Sequence, residues 1–308
     1  MKKPDISLSL PVGNISSTPV LGKYYQDFSQ ALHHFNQQYF GCFDQAGLPM
    51  FGFGENALYH QIYIIQYGLI LHDKIIDGVN VEENKVLLGR CVAWLEENQE
   101  ELEGCAVWRN HFNNNRYALA SGWISGMYQG QIISLLLRYG QLTHQEQKYT
   151  ALCESCFQSF FIPFERGGFQ RKDTENNLWF EEYPSPEPSF VLNGFIYALL
   201  GIYDLFRTSG NEKVQALFND GIQTIERSLH KYDSGYWSVY DQLKKELATK
   251  YYHKNIHIPL LDILYHITQK PIFLHYKNRW EKQWNSSFNR GFTEIMYRIK
   301  PRLAKFNL

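Results

Sequence analysis

Residues 180–195 read FEEYPSPEPSFVLNGF. Glu181, Glu182 and Tyr183 stand directly before Pro184, Pro186 and Pro188, and an apolar helix is expected straight afterwards. Proline fixes its own φ and pushes its predecessor into extended backbone, so these side chains are held in place. Carboxyl and phenol groups so held can hydrogen-bond a polar ligand or exchange protons with it. The alternative is a capped helix start, with Ser189 as N-cap and the carboxylates merely solvated. Further on, "SVYDQLKK" (238–245) and "YYHKNIHI" (251–258) add tyrosines, lysines and histidines. His253 and His257 have the i, i+4 spacing of a metal pair, but no third ligand is evident, so hydrogen-bonding roles are expected. Cys153 and Cys156 form a C-x-x-C inside a helical run with no second pair to complete a zinc site; buried thiols are expected.

These residues need a frame. Segments 57–75, 126–143, 190–210 and 256–271 are apolar nearly all round, which means burial on more than one face. Amphipathic segments 80–102, 144–162 and 211–232 alternate with them, and 272–303 adds one more. The spacing of roughly 60–70 residues suggests stacked helical hairpins, buried helix inside and amphipathic helix outside. The expected fold is mainly α: an (α/α) toroid or partial barrel with a ligand cleft at one mouth. An α-solenoid for protein binding is the plainer alternative. Against it stand the loops before the inner helices, 109–123, 165–188 and 233–255, which are rich in Tyr, Trp, Asn and charge. Their short aromatic alternation predicts small β-hairpins. Residues 1–45 read as an N-terminal lead-in and 46–308 as the helical domain that carries the site.

The chain has 308 residues, 44% of them hydrophobic, and a formal net charge of −1. That balance argues against non-specific nucleic-acid binding but allows a local basic groove for an acidic ligand. Aromatic residues make up 16% of the chain, and a surplus of Tyr and Trp suits stacking on sugars. Neither a membrane-length apolar run nor a signal-peptide core is found, so no membrane span and a cytoplasmic location are expected.

The segment "EEYPSPEPSFVLNGFIYALLGIYDL" (181–205) resembles the D-glucuronyl C5-epimerases, enzymes of heparin and heparan sulfate maturation. "SGWISGMYQGQIIS" (121–134), "IYIIQYGL" (62–69), "YDSGYWSVYD" and "YYHKNIHI" resemble further family segments, in order, across roughly residues 46 to 290. Family members from animals carry an inserted β-sandwich. Here only about 45 residues separate the first helix match from "SGW", which implies a minimal, bacterial-type version.

The resemblance implies an epimerase that converts D-glucuronate to L-iduronate in a heparosan-like glucuronan, an acidic polysaccharide. Inverting carbon 5 needs a base on one face, an acid on the other, and donors that steady enolate-like charge on the carboxylate. It needs no metal, nicotinamide or other cofactor. The family's catalytic positions fall on Glu182, Tyr183, Tyr240 and Tyr252. Glu182 and Tyr252 would flank the sugar as the acid/base pair, with Tyr183 and Tyr240 assisting. A tyrosine serves as acid or base once a neighbouring cation or base lowers its pKa. Asn193, Gln129 and Gln131 are expected to face the same cavity, where they either bind sugar hydroxyls or satisfy one another inside the ring; Trp123 and His253, the better aligned of the two histidines, are further substrate-binding candidates. Where the family has an arginine shortly after the tyrosine matched by Tyr240, this chain has "YDQLKKEL", so either Lys244 or Lys245 meets the substrate carboxylate or no residue there does. "YYHKNIHI" also carries one extra residue before His257. Glu181 is expected to point away from Glu182 and to tolerate change. A uronan lyase and a non-catalytic uronate-polymer binder are the rival readings, and a homodimer is left open.

Overall fold

The computed structural model describes residues 9–30, 42–52 and 54–303, so residues 1–8 and 31–41 of the lead-in lie outside the described residues. The helices pair as α1 (Gln61–Ile76) with α2 (Val81–Glu97), α3 (Gly126–Leu142) with α4 (Glu146–Gln158), and α5 (Leu192–Ser209) with α6 (Glu212–Ser228). Then come α7 (Ile258–Thr268), packed on α8 (Pro271–Asn285), and finally α9 (Ser287–Leu303). In α1, α3 and α5 nearly every residue is buried, whereas α2, α4 and α6 keep one face in solvent. Apolarity on all sides forces the first set inside; an apolar stripe with a charged back leaves the second outside. The result is an α-rich, toroid-like stack of helical hairpins.

The inner helices approach closely where the sequence is small. A Cβ on Gly201 of α5 would lie 1.9 Å from the carbonyl oxygen of Gly130 on α3, so the two backbones touch directly. Local signals set the helix ends. Ser125 accepts a hydrogen bond from the Tyr128 backbone N–H (3.4 Å) at the start of α3. Gly210, at φ 64°, ends α5 in the left-handed region, and Asn211 caps α6 by accepting from the Lys213 N–H (2.9 Å).

The described strands form four two-stranded antiparallel hairpins: β1 (Cys42–Phe43) with β2 (Pro49–Met50), β3 (Glu100–Leu102) with β4 (Cys105–Val107), β5 (Arg109–Asn110) with β6 (Trp123–Ile124), and β7 (Gln170–Lys172) with β8 (Leu178–Phe180). The hairpins expected before α3 and α5 are β5–β6 and β7–β8. Before α7 only isolated bridges form, Asp233–Ser238 and Val239–Leu247. Pairs β1–β2 and β3–β4 were not expected, because two or three residues are too few to show a period of two.

The described part of the lead-in is woven into the core. Tyr24, Tyr25 and Phe28 are buried there. Two buried arginines hold this segment from below: Arg138 donates to the Gly22 carbonyl, and Arg207 to those of Thr18 and Val20. Asp204 joins the cluster, accepting from Arg138 (2.5 Å) and from the Tyr25 hydroxyl (2.6 Å). These groups sit at the C-terminal ends of α3 and α5, leaving the N-terminal ends to the loops. Among the described residues no helix is long and apolar enough to cross a membrane.

Candidate active site

A cavity of about 350 Å³ opens at the N-terminal ends of the inner helices, lined by Ile62 and Tyr63 of α1, Met127 and Tyr128 of α3, and Asn193 of α5. Three helix N-termini facing one space favour an anionic occupant. The loops complete the wall with Asn113, Asn114, Glu182, Tyr183 and Tyr252. A second cavity of about 280 Å³ adjoins it, sharing Asn114, Tyr183 and Tyr252 and adding Arg116, Tyr117, Tyr240 and Glu246. All four catalytic candidates thus line one or both of two neighbouring cavities.

The rigidity of the segment after Tyr183 comes from Glu181 as much as from proline. Its carboxyl group is buried and accepts from the Ser189 N–H (3.0 Å), the Ser189 hydroxyl (2.6 Å) and the Phe190 N–H (3.0 Å). Arg171 holds the same loop from outside by donating to the Ser185 carbonyl (2.5 Å). One expectation is corrected here: Ser189 does not cap the following helix, whose N-cap is Val191, and its hydroxyl serves Glu181. Glu181 points away from Glu182, as expected, and staples the loop, holding Phe190 at φ +44°, a conformation costly for a non-glycine residue.

Glu182 faces the other way, into the cavity. Burial pushes its carboxyl group up to about 7, with Asp241 and Glu181 adding repulsion, against hydrogen bonding from Tyr183 and Asn193. Asn193 Nδ2 donates to Glu182 Oε2 at 3.3 Å. The side chain lies against the first turn of α5 because residue 194 is glycine: a Cβ there would sit 2.3 Å from Glu182 Oε2. Nothing in the sequence marked Gly194 for this role.

Next to Glu182 the wall carries three phenols, Tyr183, Tyr240 and Tyr252, which line the second cavity together. Tyr240 and Tyr252 meet edge to face at 5.1 Å. Burial raises the pKa of all three phenols, Tyr252 to about 12, so at neutral pH they are donors. The lowered tyrosine pKa expected from a neighbouring cation is not found, because desolvation outweighs it; Arg116 opposes the rise at Tyr252. Tyr252 ends a short turn of helix, and residues His253–His257 form a π-helix before α7. A π-turn is how a helix absorbs one added residue, which accounts for the extra position before His257.

Behind this wall, Ser238 Oγ lies 2.8 Å from Nδ1 of both His253 and His257. His253 stacks on Trp237 at 3.8 Å, and its Nε2 meets the Trp280 carbonyl at 3.2 Å. Burial holds both imidazoles neutral, at about 3. His253 therefore supports the wall and does not line either cavity. Gln129 also lies outside them, paired with the backbone of Trp108 through both amide atoms (3.2 and 3.1 Å). Gln131 is 3.5 Å from the Tyr24 hydroxyl, deep in the ring. Trp123 donates to the Phe112 carbonyl and rests on Tyr183 at 5.8 Å, a buttress rather than a lining residue. Lys244 is exposed, with its ammonium 5.7 Å from the Tyr117 ring centroid. Of the expected sugar-binding set, Asn193 reaches the cavity.

Sequence reasoning passed over Tyr117, Asp241, Arg116 and His60. Tyr117 stacks on Tyr183 (4.2 Å, 10°) and donates to Asp241 (2.8 Å). His60, packed against Phe112 at 4.7 Å, is held neutral by burial. Its Nδ1 and the Oδ1 of Asn193 have no hydrogen-bond partner among the described residues, and both residues line the cavity. The loop "RNHFNNNRYALASGW" (109–123) was the available signal for Arg116 and Tyr117. Among the described residues no group of three His, Cys, Asp or Glu is gathered as a metal site would require.

Fold and site together define a helical-toroid protein with a buried carboxyl group and a bank of phenols at one mouth. The crystal structure of D-mannose isomerase shares the fold, with a TM-score of 0.52 at 11% identity over 84% of this chain and 69% of that one. Residues 103–282, which hold every catalytic candidate, match the family described as D-glucuronyl C5-epimerase C-terminus, and the chain belongs to that family. It is 30% identical over 205 residues to the D-glucuronyl C5-epimerase of Caenorhabditis elegans, covering 61% of this chain and 33% of that protein. It is 33% identical over 179 residues to an uncharacterized protein of Methanocaldococcus jannaschii, covering 57% of each. The chain thus matches between one third and little more than half of the length of these relatives.

Proposed function

We propose that this protein inverts carbon 5 of D-glucuronate residues in a heparosan-like glucuronan, giving L-iduronate by proton removal and return. Supporting this is Glu182, a carboxyl group poised near neutrality on the wall of a cavity whose other polar groups are mostly protonated phenols and amides. A base of that pKa can take the carbon-5 proton at physiological pH. The electrons pass into the substrate carboxylate, where hydroxyl donors stabilise the enolate-like charge. Tyr252 delivers a proton to the opposite face. The hydroxyls of Tyr240 and Tyr183 then offer a route by which the proton on Glu182 restores Tyr252, closing the cycle. The scheme uses side chains alone, without metal or nicotinamide.

Incubation with heparosan in deuterium oxide tests it. Deuterium entering carbon 5, together with iduronate signals in the NMR spectrum, is the expected result. A substrate left unlabelled, or an unsaturated uronate absorbing in the ultraviolet, would count against it, the second pointing to a lyase.

A further inference from the structure

An acidic sugar is well held by a cation at its carboxylate, and the first cations after Tyr240 in the chain are Lys244 and Lys245. Yet Lys244, though its ammonium is 5.7 Å from the Tyr117 ring centroid, lines neither cavity. Among the described lining residues of both cavities, the one permanent cation is Arg116, from a different loop.

We propose that Arg116 anchors the substrate carboxylate and that Glu246 occupies its guanidinium until substrate arrives. This rests on the proposed function, which supplies a uronate. Arg116 Nη2 donates to Glu246 Oε2 at 2.7 Å, and the two side chains are 51% and 50% exposed, so the pair is open to exchange with solvent anions. An exposed pair of this kind is held weakly. A substrate carboxylate replaces like with like, and the planar guanidinium accommodates it through two parallel hydrogen bonds where an ammonium offers a point charge.

The surroundings fix both partners. Asn114 accepts from the Arg116 N–H (3.2 Å), which sets the short 3₁₀ turn Asn115–Tyr117. The Tyr240 N–H donates to the Glu246 carbonyl (2.9 Å), tying Glu246 to a candidate catalytic residue. Arg116 shares the second cavity with Tyr240 and Tyr252, and its charge counters the upward push on the Tyr252 pKa. A carboxylate bound there is next to the phenols that would steady it as it gains charge.

The test compares binding of a heparosan oligosaccharide with binding of its carboxyl-reduced counterpart, alongside deuterium exchange. Wild type is expected to prefer the uronate form. Arg116→Gln should weaken uronate binding by about 10- to 100-fold, in line with loss of a charge-assisted hydrogen bond, and leave the reduced form unaffected. Arg116→Lys should fall between, and Glu246→Gln should tighten uronate binding several-fold. Circular dichroism verifies that these exposed substitutions keep the fold. Wild-type preference retained in Arg116→Gln, or lost in Lys244→Gln, overturns the proposal. Loss of the preference in Arg116→Gln, with no exchange by wild type on any glucuronan, supports the anchor and sinks the epimerase reading alone.

Discussion

At the residue scale, adjacent glutamates face opposite ways: Glu181 binds its own loop, and Glu182 lines the cavity. Glu182→Gln should keep the fold and lower carbon-5 exchange by about 10²–10⁴-fold, the worth of a positioned acid or base. Tyr252→Phe, which removes only a hydroxyl, should be comparably severe in the same NMR assay. Wild-type exchange should rise with pH through about 7, as Glu182 loses its proton. Stability runs the opposite way. A folded pKa raised above the unfolded value favours folding at low pH, and that advantage is lost as pH rises from about 4.5 to about 7. Glu182→Gln has no such penalty, so its melting temperature should exceed that of wild type more at pH 8 than at pH 5. Glu181→Gln should instead melt lower than wild type, because it removes one acceptor from three converging donors. Equal melting temperatures for wild type and Glu181→Gln would refute its role as a staple.

At the scale of elements, the site depends on how tightly one loop can press against one helix. Gly194 sits in the first turn of α5, and Glu182 fills the space a methyl group would need. Gly194→Ala should therefore displace the carboxyl group while adding helix propensity. A shift of about 1 Å at a reacting group costs on the order of 10²-fold in rate. The expected outcome is a strong loss of exchange with little change in the thermal transition; unchanged exchange would show that Glu182 has slack. The π-helix does a related job for Tyr252. It takes up one residue without breaking the helix, so Tyr252 can face the cavity while His253 and His257 pack behind it.

On the scale of the whole molecule, the two ends of the inner ring are built for different purposes. The N-terminal ends open onto the cavities; the C-terminal ends are locked by the buried Asp204, Arg138 and Arg207 cluster. Asp204→Ala would leave two buried guanidiniums without their carboxylate and should destabilise the fold by about 3–5 kcal/mol. Urea titration followed by tryptophan fluorescence measures it, and a change under about 1 kcal/mol would mean the arginines find replacement partners. Because the clamp sits far from the loops, a milder Asp204→Asn variant that still folds should keep near wild-type exchange.

Periodicity determined the architecture, since inner helices must be apolar on all sides and outer ones on one face, and that pattern is written residue by residue. The family was legible too, because its motifs are contiguous stretches whose order survives in the chain. Tertiary structure alone decided which polar residues reach the cavities. Gln129 and Gln131 share a helix whose first turn lines the cavity, yet the Trp108 backbone takes one and Tyr24 lies beside the other. Arg116 is 124 positions from Tyr240 and lines the same cavity only because two loops close over the same mouth. The role of Gly194 is visible only when the side chain pressed against it is in place. Sequence spacing reports which way a residue faces along its own element; what it meets there depends on elements packed from elsewhere in the chain.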